Sequence, residues 1–240
     1  MNADWTVIDS FEGPDLDLDL WTRGTPPLPD GGMAPLEPDA QVAVGEGALT
    51  VDIPRFTLSD DSFQPADNVK FLFFSEPVEL TEAGPVTFAV DIKVRNHGGD
   101  PSDVRLGMAA LNVTDLRGGL VFDICGTESR LVAIHEGLAF LRGPEGAFTH
   151  TVMEPFARVG DLREFRTCEI TLDRGAGTAV WTVDGERIYR VDHAEIPASV
   201  SLGFGIFTLM PIEDGVSRCL RGQGLEASWR MPRYRHGSQS

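Results

Sequence analysis

Basic residues are scarce in this chain. Its 240 residues carry 20 lysines and arginines against 37 aspartates and glutamates, a formal net charge of −17. Binding nucleic acid requires a basic face that neutralises phosphate, so no nucleic-acid partner is expected, and the same repulsion argues against an anionic membrane surface. Long apolar runs are missing too: no window reaches the roughly eighteen residues of a membrane-spanning helix. Cysteine is limited to Cys125, Cys168 and Cys219, an odd, widely spaced set that makes no disulfide framework and suits a reducing compartment. The opening Met1-Asn-Ala-Asp-Trp-Thr-Val7 has neither the basic start nor the apolar core of a secretory signal. The expectation is a cytoplasmic protein.

Helical periodicity is equally absent, and this decides the fold class. Runs of β-branched and aromatic residues recur between turn-forming Gly, Pro, Asp and Asn, which reads as all-β. The clearest case is Glu169 to Val191, where Asp184-Gly185 accepts positive φ at both central positions and predicts a type I′ hairpin between residues 178–183 and 186–191. Asp173-Arg-Gly-Ala-Gly177 links it to a strand at 167–172. Further strands are expected at 6–9, 41–44, 48–53, 68–74, 86–94, 104–113, 119–124, 131–136, 138–141, 149–153, 201–209 and 225–231. So many strands exceed what one open sheet holds, so the prediction is a single two-sheet antiparallel β-sandwich of jelly-roll type over residues 1–232, with a flexible tail at 233–240. Residues 23–39 contain Pro26, Pro27, Pro29, Pro35, Pro38 and Gly31-Gly32. They cannot pair regularly in a sheet and predict an irregular loop, either a surface excursion or a lid over the concave face.

Several catalytic signatures are missing. The sequence has no glycine-rich phosphate loop, no nucleophile elbow and no Ser/His/Asp set. His97, His150, His193 and His236 have no metal-ligand spacing. Asp15, Asp17 and Asp19 mimic the start of a calcium loop, but Leu20 replaces its glycine and no glutamate closes it. No cofactor or metal is expected.

The hairpin around Val183-Asp-Gly-Glu186, the run Leu202-Gly-Phe-Gly-Ile-Phe-Thr-Leu209 and the closing Gly224-Leu-Glu-Ala-Ser-Trp229 resemble the concanavalin A-like lectin and glucanase superfamily. Phe11-Glu-Gly13 and Leu20-Trp21 are similar to the entry of that fold. Together with Gly119-Leu-Val-Phe-Asp123, the whole chain resembles an actinobacterial family of this fold, a likeness that implies no activity. In the superfamily a late hairpin of this kind precedes a final strand that pairs back with the first. Its glucanases carry catalytic carboxylates on one strand as Glu-x-Asp-x-x-Glu. That spacing is absent here, so glucanase-type hydrolysis is not expected.

Chemistry is sought instead in the hairpin Gly119 to Glu136, with Gly126-Thr-Glu-Ser129 as its turn. Pairing Cys125 with Arg130 sets Asp123 opposite Val132 and Val121 opposite Ile134. Asp123, Cys125, Arg130 and Glu136 then share one face, while Leu120, Phe122, Ile124, Leu131, Ala133 and His135 form the other, apolar one. Two carboxylates and a guanidinium among Val121, Val132 and Ile134 suit acid/base work or ligand anchoring; they equally suit a solvated ion pair. His135 is a third catalytic candidate, since a one-residue slip would exchange its face with that of Glu136. Trp181 and Tyr189 fall on opposite faces of their hairpin, one buried and one exposed for ligand stacking. Gly203 and Gly205 leave a bare strip on which a neighbouring backbone or a ligand can approach. These features lead to the expectation of a cofactor-independent cyclase or isomerase acting on an apolar or amphipathic metabolite, with Asp123 or Glu136 moving a proton. The alternative is a glycan-binding, lectin-like module.

Overall fold

Strand alternation sets the architecture. The computed structural model describes residues 4–24, 37–58, 68–153, 161–210, 212–214, 216–218 and 220–237, and in it two eight-stranded antiparallel sheets face each other. The first sheet runs β14 (Glu186–Asp192), β13 (Thr178–Val183), β12 (Arg166–Asp173), β7 (Val86–His97), β18 (Gly224–His236), β4 (Ala48–Ile53), β3 (Gln41–Gly45). A short β1 (Thr6–Val7) pairs with β18, so the last long strand does return to the first. The second sheet runs β11 (Phe148–Met153), β10 (Leu131–Gly137), β9 (Leu120–Gly126), β8 (Met108–Thr114), β15 (Ser199–Thr208), β5 (Asn68–Ser75), β2 (Trp21–Arg23), with β6 (Val78–Glu79) on β15. β16 (Ile212–Glu213) and β17 (Val216–Ser217) form a separate pair. The all-β sandwich expected from the sequence is the observed fold.

One face of each sheet supplies the core. Phe88, Ile92, Trp181 and Trp229 from the first meet Phe122, Ile124, Phe204 and Ile206 from the second, all buried. Trp229 Nε1 donates to the Ala110 carbonyl at 3.0 Å, joining β18 to β8 across the sandwich. Trp21 packs its ring 4.6 Å from that of Phe204 and donates from Nε1 to Asp9 Oδ2 at 2.8 Å. Asp184 and Gly185 take φ of 48° and 77°, as a type I′ turn requires.

The differences from expectation have local causes. Residues 138–141 begin a kinked helix, α1 (Ala139–Gly146), interrupted at Gly143 before Pro144; four apolar residues in a row do not by themselves choose between helix and strand. Residues 104–106 form a 3₁₀ turn before β8, and Asp103 accepts from Arg105 N at its start. Arg233 to His236, expected as a frayed tail, pair with Ala89 to Val86. Polar residues hold this strand because Arg233 and Arg235 lay their guanidinium groups 5.0 and 4.4 Å from the Trp5 ring. Residues 25–36, the bulk of the proline-rich segment and of the expected lid, lie outside the described residues.

A buried ion pair ties the chain after that segment to the second sheet. The β15–β5 register shifts between Ile206 and Phe207, leaving Lys70 as the extra residue of a bulge. Its Nζ stands 3.3 Å from Glu37 Oε1, and both side chains are fully buried. Glu37 also accepts from the backbone N of Thr57 at 2.9 Å and of Leu58 at 2.8 Å. Truncation by Glu37→Ala takes the carboxylate away from a buried ammonium and from two amides, and is expected to cost about 3–5 kcal/mol. A urea titration checks this; an unchanged midpoint would show that the pair contributes nothing.

Candidate functional site

Cross-strand register builds a hollow on the outer face of the second sheet. One row runs Phe74–Gly203–Asn112–Asp123–Ile134 across β5, β15, β8, β9 and β10. Two residues along, Ser201–Thr114–Val121–Glu136 follows, and on the other side Leu72–Gly205–Ala110–Cys125–Val132. Over these rows lies a cavity of about 460 Å3, with Asn112, Asp123, Ile134, Val121 and Glu136 on its floor. Phe74, Leu72, Val69, Met108 and Phe207 form an apolar wall; Leu116, Phe140 and Leu141 form the rim. Those three rim residues are exposed.

The glycines make the hollow. A Cβ at Gly203 would come within 2.6 Å of the Phe73 carbonyl and would strike the Phe74 ring; one at Gly205 would lie 2.6 Å from the Phe207 ring. Close packing by these rings therefore uses the bare strip, and the same rings line the cavity beside it.

Asn112 and Asp123 stand directly opposite each other, and Asn112 Nδ2 donates to Asp123 Oδ2 at 2.7 Å. A carboxylate only accepts, so the amide must present its NH2 to it. This turns Asn112 Oδ1 away, and that buried oxygen has no hydrogen-bond partner. Glu136 Oε1 accepts from Thr149 Oγ1 at 3.0 Å. Burial holds the Glu136 carboxyl above the usual carboxylate range, an effect the Thr149 hydroxyl partly offsets. Asp123 and Glu136 are diagonal neighbours across β9 and β10, since Asp123 faces Ile134 and Glu136 lies two residues further on.

The hairpin register differs by two residues from the expected one: Cys125 pairs with Val132 and Gly126 with Leu131. Thr127 sets the turn, its Oγ1 accepting from Ser129 N and Arg130 N at 3.2 and 3.0 Å. A shift of two preserves the faces, so Val121, Asp123, Cys125, Ile134 and Glu136 line one cavity. Other candidates are placed elsewhere. Arg130 is exposed in the turn and outside the cavity lining. Val132 is fully buried against Val104, Met108 and Ala110. Trp181 is a core residue with no exposure, and Tyr189, half-buried, stands directly opposite it with ring centroids 4.9 Å apart. A register shift between Trp181 and Thr182 puts them on one face instead of two.

His135 points between the sheets, stacked on Phe122 at 5.0 Å, in a separate crevice of about 250 Å3 with Phe148, His150, His193 and Glu195. Among the described residues one donor set has metal-compatible spacing: Asp52, His97 and Glu226, whose ligand atoms lie within 4.8 Å of one another. They come from three strands, so linear spacing could not show them. His97 Nε2 is 2.7 Å from Asp52 Oδ1. The sequence reading missed Asn112 as a site residue, although an asparagine within the apolar run Met108–Thr114 is itself an anomaly for a strand.

Sequence and structure comparisons place the chain. It belongs to the family of unknown function DUF6081, which matches residues 9–234. No curated protein matches it. An endo-1,3-β-glucanase from Streptomyces sioyaensis superposes with TM-score 0.60 at 12% identity, covering 97% of both chains. The endo-β-1,3-glucanase of Pyrococcus furiosus gives 0.60 at 14%, covering 99% of this chain and 97% of its own. The laminarinase catalytic domain of Thermotoga maritima MSB8 gives 0.58 at 13%, covering 98% and 100%. Identity this low establishes the concanavalin A-like fold alone. The expected cyclase or isomerase is overturned, because the similar structures are endo-glucanases and other glycosidases. The ground for setting glucanase-type chemistry aside also falls: Glu-x-Asp-x-x-Glu is a one-strand pattern, and here two carboxylates reach one face from neighbouring strands.

Burial of His135, with the nearby His150, depresses its pKa to about 4 from an ordinary 6.5. The unfolded chain takes up that proton first, so the stability His135 contributes is complete above about pH 6.5 and is lost as pH falls toward 4. His135→Phe is expected to remove up to about 3 kcal/mol of the acid-dependent loss. Thermal unfolding of both proteins between pH 7 and 4 tests it, and parallel curves would refute it.

Proposed function

We propose that this protein binds an amphipathic small molecule in the hollow of the second sheet, its apolar body against Phe74, Leu72, Met108 and Phe207 and its polar end on Asn112, Asp123 and Glu136. The observation that carries this is the combination of a 460 Å3 cavity, walled by apolar side chains, with convergent polar groups at its floor. Volume and lining are those of a small-ligand pocket. Exposed Leu116, Phe140 and Leu141 extend the apolar surface to the mouth.

A second reading rests on a different observation. Diagonal neighbours on paired strands have backbones about 7 Å apart and side chains on one face, a placement from which two carboxyl groups can flank one glycosidic bond. Asp123 and Glu136 are such neighbours, and the endo-glucanases named above share the fold. Against a glycan stands the lining: its aromatic residues among those described are Phe74, Phe140 and Phe207, with no tryptophan or tyrosine.

Thermal-shift titration separates the two. Octyl-chain amphiphiles below their micelle concentration are expected to stabilise the protein, while β-1,3-gluco-oligosaccharides leave it unchanged and uncleaved. Val121→Phe, which fills the floor, is expected to weaken amphiphile binding about tenfold or more. Stabilisation by the oligosaccharides, or their cleavage abolished by both Asp123→Asn and Glu136→Gln, would transfer the function to glycans.

A further inference from the structure

We infer that the outer face of the first sheet carries a zinc-type metal site, built by Asp52 of β4, Glu226 of β18 and His97 of β7. Strand register sets it up. Glu226 stands directly opposite Asp52 on one side and Arg95 on the other, and His97 lies two residues beyond Arg95, so the three share one face. On the core side of the same strands Val51, Ile53, Leu225, Ala227 and Val94 are buried, which fixes the backbone beneath the site. Opposite His97 on β18 is Gly224. It has no side chain, and a Cβ there would lie 2.0 Å from the Ile53 carbonyl oxygen. The imidazole reaches across β18 beside that bare position and brings Nε2 within 2.7 Å of Asp52 Oδ1, two strands away.

The donor atoms already converge. They lie within 4.8 Å of one another, and each of the three residues is half-buried. A tetrahedral zinc ion with bonds of about 2.0–2.1 Å holds its ligands about 3.4 Å apart, so side-chain shifts of about 1 Å close the set. A carboxylate only accepts, so His97 Nε2–H donates to Asp52; a dication takes the place of that proton. The hydrogen bond alone accounts for Asp52 and His97 and leaves the approach of Glu226 to both unexplained. Ligand type selects the ion: Ca2+ and Mg2+ take about six or more oxygens, whereas one imidazole nitrogen with two carboxylates matches zinc and leaves a fourth position to water. One dication also balances the two carboxylates. Arg95, the cation beside Glu226, is exposed and competes only weakly through solvent. The site lies on the opposite side of the sandwich from the hollow and is independent of what the hollow binds.

Titration of the chelator-treated full-length protein with ZnCl2 at pH 7, read by calorimetry and by thermal unfolding, tests the site. One zinc per chain is expected to bind with a Kd of about 1 μM or tighter and to raise Tm, while MgCl2 and CaCl2 at the same concentration do neither. Co2+ in place of zinc is expected to give visible d–d absorption. His97→Ala and Glu226→Gln are each expected to weaken zinc binding at least about tenfold, and His97→Ala to abolish the Co2+ absorption. His150→Ala and His193→Ala, which alter histidines elsewhere, are expected to leave both readouts unchanged. Urea midpoints of the metal-free variants report folding; Glu226→Gln, which keeps size and polarity, carries the test if His97→Ala does not fold. Absence of zinc binding would overturn the site. So would zinc binding retained at full strength in Glu226→Gln and His97→Ala, or lost only in the His150 and His193 variants. Ca2+ bound as tightly as zinc would reduce the three residues to a general acidic patch and overturn the assignment equally.

Discussion

The structure depends on three strands that are buried on both faces. Residues Met108–Thr114, Leu120–Gly126 and Leu131–Gly137 are buried almost throughout, whereas a two-layer sandwich ordinarily leaves one face of each sheet to solvent. Their core-facing residues, Leu111, Phe122, Ile124 and Ala133 among them, hold the sandwich together. Their other residues Met108, Ala110, Cys125, Val132 and Ile134 form a second apolar cluster with Val104 of the preceding turn, roofed in part by Phe207 and Leu209. Any group on that outer face is thereby removed from water, so its chemistry is governed by its immediate neighbours. Asn112, Asp123 and Glu136 matter because, with Thr114, they are polar residues on this surface.

The rest of the second sheet is arranged around that row. β15 is the neighbour that makes room: Gly203 and Gly205 admit the rings of Phe74 and Phe207 to positions that Cβ atoms would occupy. The bulge at the far end of β15 and β5 turns Lys70 inward to Glu37. On the other flank, α1 closes back on the β8–β9 turn, where Leu138 N donates to the Gly119 carbonyl at 2.8 Å and Arg142 to that of Gly118 at 3.1 Å. Arg142 also pairs with Glu195 at 2.7 Å, which ties the rim helix to the segment that follows β14. The hollow is bounded by devices drawn from separate stretches of sequence.

Much of this was legible because strands have a period of two. The grouping of Val121, Asp123, Cys125, Ile134 and Glu136 needs only parity, and parity survives a register error of two residues. Arg130 shows the limit: parity put it on the correct face, but the turn nucleated by Thr127 leaves it beyond the end of the ladder. Tyr189 shows the other: one inserted residue reverses a face, and nothing in Glu186–Asp192 announces the bulge. Asn112 could have been flagged from composition, yet its pairing with Asp123 depends on how β8 and β9 register. The Asp52, His97 and Glu226 cluster, gathered from β4, β7 and β18, has no linear signature at all.

Neighbouring carboxylates in an apolar setting are costly, and the fold bears that cost at one place. Asp123 is 7% exposed and is bonded by the Asn112 amide; Glu136 has the Thr149 hydroxyl. The Asn112 amide and the Thr149 hydroxyl are neutral donors, which ease burial of a charge without cancelling it. The raised Glu136 pKa is the signature of that incomplete compensation. Folding alone would be served as well by Val or Thr at these positions, since both fit a buried strand. Two acids and an amide gathered on that face are therefore the part of the hollow that folding does not explain, and it is on them that the small-molecule reading rests.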